Sequence, residues 1–306
     1  MAVDTTVDLA GRRLKLTNLD KVLYPSDGFT KSEVVRYYAE TASVLLPHLR
    51  DRPVTLRRYP NGVDGESFFE KNVPRGAPDW VRTTRQPTPS SGTGRETADF
   101  VLADDIATLV WLANLAALEL HVPQWTVGPR GGRCCPDLLV FDLDPGEKAS
   151  IVECCRVATL IRDELGEDGL TSLPKTSGSK GLQLYVAVKV SHPDDTSAYA
   201  RALAGRLARR YPDRVVATMA KDERRGRVLI DWSQNNLAKT TIAPYSLRAR
   251  SRPTVSTPVT WHEVETCRTP DDLVFTARDI PGRLKEHGDL FEPLHGDHHR
   301  LPALAD

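Results

Sequence analysis

The chain has 306 residues, 40% of them hydrophobic and 27% charged, a composition that supports one large core or two modest ones and allows only local disorder. Basic and acidic side chains balance at 41 each, which argues against a general nucleic-acid coat protein, whereas residues 206–252 carry 12 basic against 4 acidic side chains and leave room for a local basic groove. No apolar run approaches the length of a membrane span, and Met1 is followed by Asp4 and Asp8 rather than by a basic and then apolar leader, so a cytoplasmic protein with no membrane contact is expected.

In chain order, residues 1–12 read as a loose polar start and Asn18 as the cap of a short turn. Thr30 or Ser32 caps a helical pattern that carries Val34, Val35, Tyr38 and Ala39 and reaches about Leu46. Pro53 to Pro60 reads as a strand, Asn61-Gly62 and Asp64-Gly65 as turns, and Ser67 to Lys71 as the strand that returns. Thr83 to Arg95, rich in Pro, Ser, Thr and Gly, reads as a mobile surface loop. The leucine-rich run from Ile106 to Leu120 predicts a buried helix that stops near His121 and Pro123. A strand from Leu138 to Gly146 precedes a helix from Ser150 to Leu165, closed by Gly166. A further strand near Leu182 completes a strand, helix, strand order, and another helix spans about Thr196 to Arg210. Val215 to Ala217 and Val228 to Trp232 supply strands, and Trp261 to Cys267 with Asp271 to Phe275 a small terminal helical element. The five cysteines, as Cys134-Cys135, Cys154-Cys155 and Cys267, have neither the pairing of a disulfide framework nor the spacing of a zinc set. The class is α/β or α+β, without internal repeats.

Two features carry chemistry. Along the 138–146 strand, Asp142 and Asp144 stand two residues apart, so the period of a strand turns both carboxylates to one face; Asp231 ends another strand. Carboxylates are hard oxygen ligands suited to a pair of magnesium or manganese ions, the arrangement used for nucleotidyl transfer. From these letters alone, Asp144-Pro145-Gly146 is equally an ordinary strand exit. The second feature is Lys175-Thr176-Ser177-Gly178-Ser179-Lys180-Gly181, whose small residues expose backbone N–H groups and whose Lys180 adds a point charge for phosphate. It lacks the glycine spacing of a P-loop.

With Leu16 to Pro25, Phe141 to Gly146, Lys175 to Leu182, Asp231 to Asn235 and Lys239 to Arg248 in this order, the sequence resembles the polymerase domain of bacterial multifunctional ATP-dependent DNA ligase D, in the archaeo-eukaryotic primase superfamily. The resemblance covers about residues 10–295. It implies a primase-like catalytic core with mixed or antiparallel sheets flanked by helices, and a single domain over 1–306 in which an N-terminal subdomain interleaves with an RRM-like catalytic subdomain. Ligase and nuclease modules are not expected. The implied activity is template-directed addition of nucleotides, often ribonucleotides, to a primer 3′-hydroxyl at DNA gaps or double-strand-break ends in non-homologous end joining, with manganese preferred over magnesium.

Carried over by position, Asp142, Asp144 and Asp231 are the metal-binding catalytic carboxylates. Arg57, Phe69, His121, Ser177, Lys180, Gln234 and Arg248 surround the incoming nucleotide, Phe69 as a stacking ring and Ser177, Lys180 and Arg248 on the phosphates. Asn18, Lys21 and Lys31 match a pocket for the 5′-phosphate of the downstream DNA strand, a group that suits two ammonium ions and an amide donor. The implied partners are gapped or broken duplex DNA, NTP or dNTP, the Ku end-binding protein and a separate DNA ligase, in a nucleoid-associated monomer. One departure stands out: the family usually has histidine where this chain has Gln183, which donates a neutral hydrogen bond but does not titrate. That substitution keeps open a competing reading, a 5′-phosphate DNA-end-binding module that has lost catalysis. A primase-polymerase that starts chains without a primer is a third.

Overall fold

The computed structural model describes residues 4–88, 96–220 and 222–302. The chain starts with a hairpin, β1 (Thr5–Leu9) and β2 (Arg12–Leu16), turned by Ala10 and Gly11 at φ 50° and 75°, in place of the expected loose start. Positive φ at both turn positions matches the twist of the paired strands, a signal that Ala-Gly gives more weakly than Asn-Gly. Short strands β3 (Val22–Tyr24) and β4 (Phe29–Thr30) lead into α1 (Lys31–Glu40), where Thr30 and Glu33 form a capping box. The helix stops before Leu46. The Thr41 hydroxyl donates back to Tyr37 O at 2.8 Å and bends the backbone, and α2 (Ala42–Leu49) restarts at a new angle.

Strands β5 (Pro53–Arg58) and β6 (Phe68–Glu70) pair as read from sequence. β7 (Thr83–Pro87) and β8 (Thr97–Leu102) then form an antiparallel pair, so the first half of the expected 83–95 loop is a strand, and residues 89–95 lie outside the described residues. α3 (Ile106–Asn114) ends earlier than expected. Ala116, at φ 56°, reverses the chain into β9 (Ala117–Val122). A buried strand and a buried helix share an apolar run, so periodicity could not separate them here. The hairpin β10 (Trp125–Val127) and β11 (Arg133–Pro136) follows.

The second half opens with β12 (Leu138–Pro145), whose Leu139, Phe141 and Leu143 are fully buried. They pack with α4 (Ile151–Glu167) and α5 (Asp195–Arg210) into one core, leaving Asp142 and Asp144 on the opposite face of the sheet. α4 runs past Gly166; Gly169, at φ 71° beyond the C-cap Asp168, is the residue that ends it. With β13 (Leu173–Thr176), β14 (Leu182–Lys189), β15 (Val215–Val216) and β16 (Val228–Asp231), the sheet runs in the order β13-β14-β12-β16-β15.

The chain then returns to the first sheet. β17 (Thr241–Ile242) pairs with β9, completing the order β17-β9-β5-β8-β7, with β6 on β5. β18 (Leu247–Ala249) and β19 (Pro253–Val255) form a hairpin; Leu247 and Val255 join the core of the first sheet with α1 and α3. α6 (Trp261–Thr266) packs back on the second core through Val264, and α7 (Ile280–His287) on the first through Ile280. The fold is thus mixed α/β, with two largely antiparallel sheets, each backed by its own helices. The five cysteines are free thiols.

Candidate active site

Antiparallel register brings the carboxylates together. Asp142 lies opposite Asp231 on β16 and opposite Gln183 on β14, and residues directly opposite in a sheet share a face. Asp144 follows on the same face. Burial raises the pKa of Asp142, reinforced by Asp144 and Asp231, while the hydrogen bond from Gln183 Nε2 to Asp142 Oδ1 at 2.9 Å opposes the rise. Asp144 is raised too, by desolvation and by Asp231, against the attraction of Arg224 and Arg248. Three anions on one face, two of them held above the usual carboxylate range by burial and each other, form a donor set that a divalent cation would relieve. The set fits metal binding in identity and face, but no cage of three His, Cys, Asp or Glu ligands is preformed among the described residues. One reason is visible at Asp231, which accepts from Ser233 N at 3.0 Å, Ser233 Oγ at 2.6 Å and Gln234 Nε2 at 2.8 Å. Gln234 therefore lies beside Asp231 and donates to it.

A second cluster lies on the neighbouring sheet. Arg57 and Phe69 are register partners on β5 and β6, with the guanidinium 5.2 Å from the ring centroid, and Phe69 meets His121 edge-on at 5.8 Å. Phe69 is 60% exposed, an open aromatic face rather than a core residue. Beneath them is Glu119, buried on β9 and given no role by the motifs in the sequence. It takes a hydrogen bond with His121 Nε2 at 3.0 Å and one from Ala249 N at 3.1 Å, and it faces Arg248 Nε at 3.4 Å and Arg57 at 3.9 Å. Burial alone would raise its pKa, but His121, Arg248 and the Ala249 amide hold it down to about 2. His121 is lowered by burial, against the pull of Glu119. The spacing Glu119-Leu120-His121 carries this signal only once the segment is known to be a strand.

The turn between β13 and β14 connects the clusters. Ser177 Oγ accepts from Ser179 N at 3.3 Å and Gly181 N at 3.1 Å, and Lys180 stands exposed at the tip. Gly178, at φ 66°, lies so close to Arg248 that a Cβ would come within 2.6 Å of its Cγ, and a Cβ on Gly181 would collide with Leu143 O on the carboxylate strand. Arg250 and Thr254 of the β18–β19 hairpin bind Ser179 Oγ and Gly178 O.

Asn18, Lys21 and Lys31 meet elsewhere, where the 18–21 turn abuts the start of α1. Lys31 N donates to Lys21 O at 2.8 Å, and Lys21 Nζ donates to Asn61 Oδ1 at 3.1 Å. Lys31 is buried, with its ammonium on Thr17 O at 2.6 Å; burial, then Lys21, lower its pKa to about 8.

Fold and site together define a class: a primase-type nucleotidyl-transfer domain, built on a carboxylate-bearing sheet faced by a turn rich in glycine and serine. Residues 30–291 match the family described as LigD, primase-polymerase domain. The chain is 44% identical over 286 residues to the multifunctional non-homologous end joining protein LigD of Mycolicibacterium smegmatis, across 93% of this chain and 36% of that protein. It is 33% identical over 300 residues to the bifunctional non-homologous end joining protein LigD of Bacillus subtilis, across 94% of this chain and 47% of that protein. The solved polymerase domain from Mycobacterium tuberculosis Ligase D, in complex with DNA, superposes with a TM-score of 0.86 at 42% identity, over 94% of this chain and 99% of that one. The chain belongs to the LigD primase-polymerase domain family, and it spans less than half the length of these curated relatives. Among the described residues no helix is long and apolar enough to cross a membrane.

Proposed function

We propose that this chain is a metal-dependent, template-directed nucleotidyltransferase that extends a primer 3′-hydroxyl with ribo- or deoxyribonucleotides at DNA gaps or double-strand-break ends. The observation that carries the reading is the convergence of Asp142, Asp144 and Asp231 on one face, beside the cations Arg224 and Arg248. Asp142, Asp144 and Asp231 would hold manganese or magnesium, which supplies charge neutralisation at the triphosphate and acidifies the primer hydroxyl. Ser177, Lys180 and Arg248 bind the triphosphate, and Arg57, Phe69 and His121 position the nucleotide. The primer 3′-oxygen bonds to the α-phosphorus, the bond to the β-phosphate oxygen breaks, the hydroxyl proton is lost and pyrophosphate departs past Lys180. Asn18, Lys21 and Lys31 hold the 5′-phosphate on the far side of a gap. We further infer that both sheets act as one domain, since residues of each surround the nucleotide, and that a monomer cooperates with Ku and a ligase activity.

The end-binding alternative rests on Gln183. Its amide, however, already donates to Asp142 and keeps that carboxylate engaged, which supports catalysis. The deciding experiment is extension of a labelled primer on a gapped duplex with and without a 5′-phosphate, in manganese and in magnesium, with NTP and with dNTP. Metal-dependent addition is expected; phosphate-dependent binding without addition would overturn the reading in favour of the end-binding module.

A further inference from the structure

Lys175 has no part in the roles above, yet it has no exposed surface. It is in register with Gln183 across β13 and β14, as Gln183 is with Asp142 across β14 and β12, so the three side chains line one row of the active-site face. Its Nζ donates to Gln183 Oε1 at 2.6 Å and to Ser256 Oγ at 2.6 Å, and the Ser256 hydroxyl donates its own proton to Thr176 O at 2.9 Å. Burying an ammonium is costly even when it is hydrogen-bonded, and an apolar side chain of similar shape would generally serve stability as well. A role beyond packing follows from direction. Lys175 Nζ donates to Gln183 Oε1, with the Tyr185 hydroxyl a second and longer donor at 3.4 Å, so Oε1 turns to the lysine and Nε2 is left to donate to Asp142 Oδ1. A flipped amide would set its carbonyl against the carboxylate.

We propose that Lys175 is a positioning residue, which acts through Gln183 to fix the Asp142 carboxylate for cation binding. The inference rests on the polymerase reading of the site. Partners one bond removed from a metal ligand typically contribute roughly 10–100-fold to affinity.

The test is calorimetric titration of the metal-free protein with Mn2+, comparing wild type, Lys175→Met, Gln183→Met and the double variant. Each single variant is expected to lose roughly 10–100-fold in Mn2+ affinity, and the double variant no more than the weaker-binding single, because both act through one bond. In primer extension the Mn2+ requirement should rise while the nucleotide KM at saturating Mn2+ holds. A folded Lys175→Met protein with wild-type Mn2+ affinity, or fully additive losses, would overturn the proposal. A second arm uses the unmutated chain, so a folding failure of the variant does not stall it. The Gln183 side-chain amide, observed by NMR, should exchange slowly with water and shift on Mg2+ titration; a freely exchanging, unresponsive amide would equally overturn it. Primer extension by the wild type and by Asp142→Ala decides the polymerase reading separately.

Discussion

The carboxylates of the sheet that carries β12 and the buried Glu119 of its neighbour respond in opposite directions. Asp142 and Asp144 are raised, by burial and then by neighbouring carboxylates, Asp144 and Asp231 for the first and Asp231 for the second; Glu119 is lowered to about 2 although burial opposes it, because His121, Arg248 and a backbone amide converge on it. The first group is left with negative charge that no ion pair among the described residues relieves. The second is already neutralised by the protein's own cations, and so it holds those cations in place for something else. Burial does not set the sign of such a site; the balance of charge within a few ångströms does.

The largest expected effect comes from removing the acids that need an external cation. Asp142→Ala with Asp144→Ala should reduce primer extension to background, and Mn2+ should no longer raise the melting temperature. A double variant that still extends primers would break the contrast at its stronger end.

Glu119→Gln attacks the other side. Removing one partner from a buried ion cluster typically costs roughly 3–5 kcal/mol, so the variant should melt earlier and bind nucleotide more weakly as Arg57 and Arg248 lose their anchor, in thermal denaturation and nucleotide titration. The pH sign is fixed as well. Because the folded-state pKa lies below the ordinary value of 4.5, the stabilisation from Glu119 is complete above about pH 4.5 and fades as pH falls through about 2.

Phe69→Ala is milder. The ring is mostly exposed, so stability should hold, whereas loss of a stacked base is worth about 1–3 kcal/mol and should appear as weaker binding of the incoming nucleotide in a nucleotide titration. Unchanged nucleotide affinity would remove Phe69 from the site.

The smallest effect concerns Lys31, shifted down to about 8. Its charge is present below that pH and lost above it, so the preference for 5′-phosphorylated over 5′-hydroxyl gaps should shrink between about pH 7 and 9 and become flat in Lys31→Met. For stability the sign reverses, since the buried amine favours its neutral form and the fold gains as pH rises through about 8.

Much of the sheet that carries β12 was legible in the sequence, because aspartates alternating with apolar residues mark a strand with one buried face, and the cap of α1 is written in Thr30. Glu119 was not. Its role depended on Ala116 turning a leucine-rich run from helix into strand, an event set by backbone conformation rather than by hydrophobic pattern. Lys175 was hidden for a different reason: nothing local distinguishes a lysine buried among neighbouring strands from one in solvent. The opening hairpin escaped because Ala-Gly is a weak turn signal.

Gly178 and Gly181 have a consequence for how the enzyme can evolve. Each hydrogen acts as a spacer gauge between the 177–181 turn and what lies behind it, Arg248 in one case and the carboxylate strand in the other. A single methyl group at either position would widen that gap, so the distance from the turn to the carboxylate strand is set by the smallest atom available to the chain.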